Sequence, residues 1–282
     1  MNVSKGQAAR CQGQRARKNL CPLPLVPLVA CLLLGACSFP GSTQPVLKIG
    51  LVAPFEGRYR SIGYEAIYAA RLAIREINAR GGVAGYRIEL VALDDRGEPE
   101  AAIESAHKLA IDPQVVAVIG HYRPGSTDAA IETYCSLDLA LIAVESASPL
   151  SESCREPLDV FVLGHASIER WPGDRLTFVS HVPSPTDLPE AQSFVSAYNA
   201  IPIDGTRAGP IALQTYDATY LLFDAIGRAK KIDRAGVAEA IANGHFSGLG
   251  GHYAFDSNGN LIDAKTMVFE YDPTGQPRWI KP

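Results

Sequence analysis

The chain has 282 residues and a formal net charge of −4 at pH 7. That length suits one large or two small domains. The acidic balance argues against nucleic acid as a partner and mainly keeps the protein in solution.

Residues 1–19 carry five positive charges (Lys5, Arg10, Arg15, Arg17 and Lys18) and no acid. An apolar run from Leu20 to Leu34 follows, and the small residues Gly35 and Ala36 precede Cys37. Such an arrangement predicts an export signal. The run holds Pro22, Pro24 and Pro27 and falls short of the roughly 20 residues that span a bilayer. An ordinary cleaved signal peptide is one reading. The other is a lipoprotein signal, since Leu34-Gly35-Ala36-Cys37 resembles the lipobox. That resemblance implies a signal over residues 1–36, lipid on Cys37 and a polar tether over 37–45. Acyl chains on one cysteine hold a protein on the outer side of the cell membrane.

Cys11, Cys21 and Cys31 leave with the signal, so Cys135 and Cys154 remain in a compartment that permits disulfides. They either form a bridge or stay as two buried thiols, because sequence does not supply the Cα distance that decides. Taking the five positive charges from the net of −4 leaves −9 on the exported part.

From Val46 onward strand-like and helix-like periods alternate. Lys48 to Phe55 predicts a buried strand. Ile67, Ala70, Ile74 and Ile77 recur at helical spacing, and Gly81-Gly82 ends that helix. Tyr86 to Leu93 predicts the second strand, and Pro99 opens the second helix. Val115 to Ile119 predicts a third strand, Ser126 to Ser136 a third helix, and Leu139 to Val144 a fourth strand. Continuous apolar strands separated by helices imply an α/β fold, a doubly wound parallel sheet covered on both faces.

After Ser151 the rhythm breaks. Asp159 to Leu163 and Leu176 to Val179 predict short strands, and Pro183, Pro185 and Pro189 mark a connector. Pro189 to Tyr198, Ile211 to Arg228 and Ala235 to Ala242 predict helices. A glycine-rich turn (Gly248, Gly250, Gly251), a turn at Asp256 to Gly259 and a last strand from Lys265 to Tyr271 complete the chain.

In an open parallel sheet, ligands bind outside the carboxyl ends of the strands where the strand order reverses. The segments 54–63, 120–126 and 145–150 are therefore the candidate loops. Gly120 to Ser126 joins a strand to a helix, whose first N–H groups make a seat for a carboxylate. Ser126 either serves that seat or caps the helix, a role serine often takes. Tyr122 either lines the crevice or covers the sheet edge. Glu145, Ser146, Ala147 and Ser148 offer hydroxyls, carbonyls and one carboxylate, a mixture suited to an ammonium group, or form a plain polar loop. Glu56 and Tyr59 are weaker candidates.

Signatures of enzymes are missing: no phosphate loop, dinucleotide fingerprint or Gly-x-Ser-x-Gly elbow occurs. The six histidines never pair at zinc-ligand spacing, so no metal and no cofactor is expected. Asp94-Asp95, at the end of a strand, is read as a solvated turn.

Several stretches resemble one family. Lys48-Ile-Gly-Leu-Val-Ala-Pro54, Ala73 to Gly85, Leu93 to Pro99 and Val116 to Gly120 are similar to the type I solute-binding proteins of branched-chain amino acid ABC transporters. Tyr216 to Ile226, Phe246 to Gly251 and Phe255 to Gly259 resemble the family's later segments. The resemblance implies a two-lobed clamshell. One lobe captures an amino acid or amide through a loop serine and backbone groups, and the other closes over it. The solute would then pass to an ABC permease in the membrane, powered by an ATPase.

The sequence departs from that pattern. Pro124 stands where the family tends to place a ligand-holding serine, with Ser126 two residues later, and Ile62 stands where some members carry an aromatic. The middle is shorter by roughly a hundred residues, about one small domain. The acid that usually meets the ammonium falls in a stretch that aligns only at His165-Ala-Ser167. The expected division is a first lobe over 46–150 and 183–255, and a remnant of the second over 151–182 and 256–282. A piece that small buries too little surface to be firmly stable alone. Tyr122, Gly125 and Ser126 are expected on the carboxylate side and Ser146, Ala147 and Ser148 on the ammonium side, with Glu145 in place of the missing acid. A surface lipoprotein that kept the fold as an interaction or sensing module is the alternative.

Overall fold

The computed structural model describes residues 44–147, 154, 159–164, 177–202, 207–265, 267–273 and 277–280. The signal, Cys37 and the tether to Thr43 therefore lie outside the described residues, as do Ser148 and His165 to Ser167.

The first half alternates as its apolar spacing predicts. Strand β1 (Val46–Ala53) leads through a 3₁₀ turn to helix α1 (Arg60–Ala79), then β2 (Arg87–Asp94) and α2 (Pro99–Ile111). Strand β3 (Val115–Ile119), α3 (Pro124–Ser136) and β4 (Ala140–Ala143) follow. Gly81 and Gly82 end α1 with φ of 101° and 82°. The N–H of Gly82 reaches back to the carbonyl of Ile77 at 3.0 Å. A side chain on Gly82 would lie 1.9 Å from the carbonyl oxygen of Tyr86, so the turn into β2 requires glycine.

Five strands form one sheet in the order β2-β1-β3-β4-β5, with every pair parallel. Residues alternate between its two faces. Ile49, Leu51, Ile142 and Phe161 enter a core with α1, α5 (Pro210–Arg228) and α6 (Arg234–Ala242). Val52, Val118, Leu141 and Val162 enter a second core with α2 and α3.

The fifth strand, β5 (Val160–Val162), was expected with the second-lobe remnant and belongs instead to this sheet. It pairs with Leu141 to Ala143 and is fully buried. The Asp256–Asn260 turn, also assigned to the remnant, covers the free edge of β5. Val162 N–H donates to the Gly259 carbonyl at 2.7 Å, and Leu261 N–H donates to the Val162 carbonyl at 2.9 Å. Such cover removes an exposed strand edge. A disulfide joins Cys135 at the end of α3 to buried Cys154, with Cα atoms 5.2 Å apart, which resolves the question the spacing left open.

Strands β6 (Thr177–Ser180), β9 (Met267–Tyr271) and β10 (Pro277–Ile280) make a separate antiparallel sheet in the order β10-β9-β6. Between them lie α4 (Gln192–Asn199) and a two-stranded ribbon of β7 (Phe246–Ser247) and β8 (His252–Tyr253). Asp217 on α5 holds the glycine-rich turn by accepting from the N–H groups of Leu249 at 2.9 Å and Gly250 at 2.7 Å.

Candidate functional site

Strand β1 has β2 on one side and β3 on the other, so the chain changes direction at this pair. The loops after β1, β3 and β4 should flank a ligand. Gly120, which follows β3, has φ of 140°, and a Cβ there would lie 2.3 Å from the carbonyl oxygen of Val52. Glycine thus lets the third loop pass close to β1.

A buried pair ties the loops together. Asp95, after β2, and His121, after β3, are both fully buried, and His121 Nδ1 lies 2.6 Å from Asp95 Oδ2. The other imidazole nitrogen is 3.2 Å from the hydroxyl of Tyr134 on α3. The solvated turn expected at Asp94-Asp95 is therefore corrected at Asp95. Its partner is 26 positions away, beyond the reach of any local pattern.

Helix α3 starts at Pro124, with Arg123 at the N-cap and no side-chain cap. Proline fits the first helical position because that N–H has no partner in any helix. The first intrahelical bond runs from Thr127 N–H to the Arg123 carbonyl at 2.9 Å. The amides of Gly125 and Ser126 are then left without an intrahelical acceptor. Gly125 is exposed, with open space where a side chain would stand. Ser126 does not take the capping role. Its Oγ is buried and has no hydrogen-bond partner among the described residues. Leaving a buried polar group unmade costs about 1–3 kcal/mol.

The other predicted residues are placed less openly than expected. Tyr122 turns into the core, 1% exposed, with its hydroxyl 2.8 Å from Thr215 Oγ1 on α5, so its side chain is withdrawn from the crevice. Ser146 is buried, and its hydroxyl donates to Asp128 Oδ1 at 2.7 Å. That proton is committed within the protein. The backbone N–H of exposed Ala147 reaches the same carboxylate oxygen at 3.2 Å. Tyr59 is half-buried, under the Arg123 guanidinium at 4.4 Å from its ring centre. The cavities of 350 to 630 Å³ at the glycine-rich turn, along α1 and α5, beside α6 and at the start of the sheet are lined by residues other than the predicted ones.

Glu145 is 4% exposed, with no hydrogen-bond partner among the described residues. Burial pushes its carboxyl up to about 8; Arg123 opposes this and Asp128 adds to it. Two residues that the sequence did not single out, Arg123 and Asp128, thus set the charge of this face. The arrangement offers the open amides of α3 to an anion and the Glu145 carboxyl to a cation, while the Arg123 guanidinium and the Asp128 carboxylate have partners of their own and act on the site through their charge. Sequence gives only one signal for Arg123 and Asp128, their position in the first turns of a helix that follows a strand.

The periplasmic binding protein family matches this chain over residues 46–164 and 162–276, well over half its length. The chain is 36% identical over 101 residues to the amino acid binding protein of Pseudomonas aeruginosa, a stretch covering 36% of this chain and 27% of that protein. It is 29% identical over 103 residues to the Leu/Ile/Val-binding protein of Escherichia coli, covering 36% of this chain and 28% of that one. These matches span little more than a quarter of each relative. Among solved structures, the substrate-binding protein LivJ of Streptococcus pneumoniae in complex with isoleucine aligns with a TM-score of 0.63. That alignment has 17% identity and covers 84% of this chain and all of that one. At that identity the likeness speaks for the fold, the type I lobe with a parallel sheet. On its sequence and its architecture together, the chain belongs to the periplasmic binding protein family.

Proposed function

We propose that this protein is the extracytoplasmic solute-binding component of an ABC importer for amino acids, held to the membrane by lipid on Cys37. The observation that carries the reading is the buried Ser126 Oγ, which has no partner among the described residues, beside the open amides of α3 and together with the buried side chain of Glu145. A zwitterion would partner both, since desolvated charges need partners. Its carboxylate would take the Gly125 and Ser126 amides at the positive end of the helix. Its ammonium would face Glu145 and Asp128, near the carbonyl of Ala147.

A one-sided face leaves half of such a ligand wet, where charge-assisted hydrogen bonds contribute less than in a closed crevice. Binding weaker than about 1 µM is expected for leucine, isoleucine and valine. Calorimetric titration of the exported chain tests this. Gly125→Pro removes one amide while keeping a φ suited to the first helical turn, and should weaken binding about tenfold. No response from any amino acid at millimolar concentration would sink the reading. Cys37→Ser should release the protein from the membrane fraction; a variant still sedimenting with membranes would remove the lipid anchor.

The second reading is a surface interaction or sensing lipoprotein. It is favoured by the way the two family-matched segments abut at residues 162–164, with no chain between them for a full second lobe.

A further inference from the structure

At the opposite end of the five-stranded sheet, where the strands begin, a second pair of carboxylates stands apart from the loops discussed above. Asp138 sits in the turn after α3, with φ of 48°, and Asp159 directly precedes β5. Asp159 is 2% exposed and lines a cavity of 590 Å³. Its backbone carbonyl accepts from Leu141 N–H at 2.7 Å, but its carboxyl has no hydrogen-bond partner among the described residues.

Among the described residues, no cation pairs with that carboxyl. Arg234 borders the same cavity, yet its guanidinium is spent on the carbonyls of Ala110, Asp112, Val115 and Leu137, at 2.8 to 3.3 Å. Asp233 caps α6 by accepting from Gly236 N–H at 2.9 Å and pairs with Lys231. Burial pushes Asp159 up to about 6, and the negative charge of Asp138 acts in the same direction. A buried carboxyl in this state is costly unless a positive group joins it. The rest of the cavity is apolar, formed by Leu47, Val116 and Ile232 among others. That apolar wall suits the alkyl stem of an organic cation.

We propose that Asp138 and Asp159 form a seat for a primary alkylammonium group, whose alkyl stem lies on the wall of Leu47, Val116 and Ile232. A free diamine and a lysine side chain of another protein share this chemistry. The site does not depend on the amino acid reading, since it lies at the other end of the sheet.

The test is a titration of the exported chain at pH 7, followed by NMR, with 1,5-diaminopentane and with lysine blocked at both backbone ends. Saturable binding is expected, with at least a tenfold loss in Asp159→Asn, a smaller loss in Asp138→Asn, and none in Gly125→Pro. Binding of the diamine alone assigns a free polyamine, and binding of both assigns an exposed lysine. Asp159→Asn removes a buried charge and should fold at least as well as the parent; circular dichroism checks that. Absence of saturable binding by either probe, or equal affinity in folded Asp159→Asn, would overturn the proposal.

Discussion

Replacing Glu145 with glutamine should make stability less dependent on pH, and the size of the effect follows from the burial of this carboxyl. In the unfolded chain it titrates at the ordinary value of 4.5, and in the folded protein burial raises it to about 8. Below pH 4.5 both states hold the proton and the group has no net effect. As pH rises from there to about 8, the unfolded chain releases a proton that the folded protein keeps, so stability falls. At about 1.4 kcal/mol per pH unit, the loss reaches about 3 kcal/mol at pH 7 and about 5 kcal/mol above pH 8. Glutamine has nearly the same shape and cannot ionise. The parent and Glu145→Gln should therefore be equally stable at pH 4, and the variant should be ahead by about 3 kcal/mol at pH 7. Urea unfolding of both proteins between pH 4 and 9 measures this directly. A difference that stays constant across that range would refute the assignment. So would a parent that gains on the variant as pH rises.

Three further outcomes follow from contacts elsewhere in the fold. Reducing the Cys135–Cys154 bridge, which joins residues 19 apart, should cost about 3 kcal/mol; melting curves with and without a reductant that coincide would refute it. Arg234→Ala strips donors from four backbone carbonyls and should cost about 3 kcal/mol in urea unfolding. Arg234→Lys should rescue little, because an ammonium lacks the planar fork that reaches several carbonyls. Asp95→Ala leaves His121 buried without its partner and should cost about 3–5 kcal/mol. A double-mutant cycle with His121→Phe should show strong coupling, and additive losses would mean that the two groups act independently.

The parts of the fold legible in the sequence are those whose residues are buried on both faces. Val115 to Ile119 and Ala140 to Ala143 are unbroken apolar runs because helices cover each side of the sheet. Val160 to Val162 has the same character, but three residues carry no information about which sheet they join. Its place is set by pairing with β4 and by a turn almost a hundred positions later. In the candidate site the loops were readable and the side-chain directions were not. Tyr122 reads as a crevice aromatic until Thr215, 93 positions away, takes its hydroxyl. Asp128 reads as one more polar residue on α3 until the chain returns 18 positions later to place Ser146 against it.

What distinguishes a retained binding site from an idle scaffold is the cost the empty protein bears. Ser126 Oγ is an unmet polar atom in a buried place, and a serine-to-alanine change would remove it along with its penalty of about 1–3 kcal/mol. Glu145 carries a larger burden at neutral pH, and glutamine would remove that too. Both residues stand at the same end of the sheet, next to amides that α3 leaves open. The first lobe does not need either of them for closure: β5 completes the sheet, the turn at Asp256 covers its edge, and the disulfide ties α3 to the chain beyond β4. An idle scaffold would be more stable without these groups, and single substitutions suffice to remove them. Their presence therefore favours a ligand that meets them over a fold kept only for its surface. If Ser126→Ala and Glu145→Gln raised stability while leaving amino acid affinity unchanged, that preference would reverse.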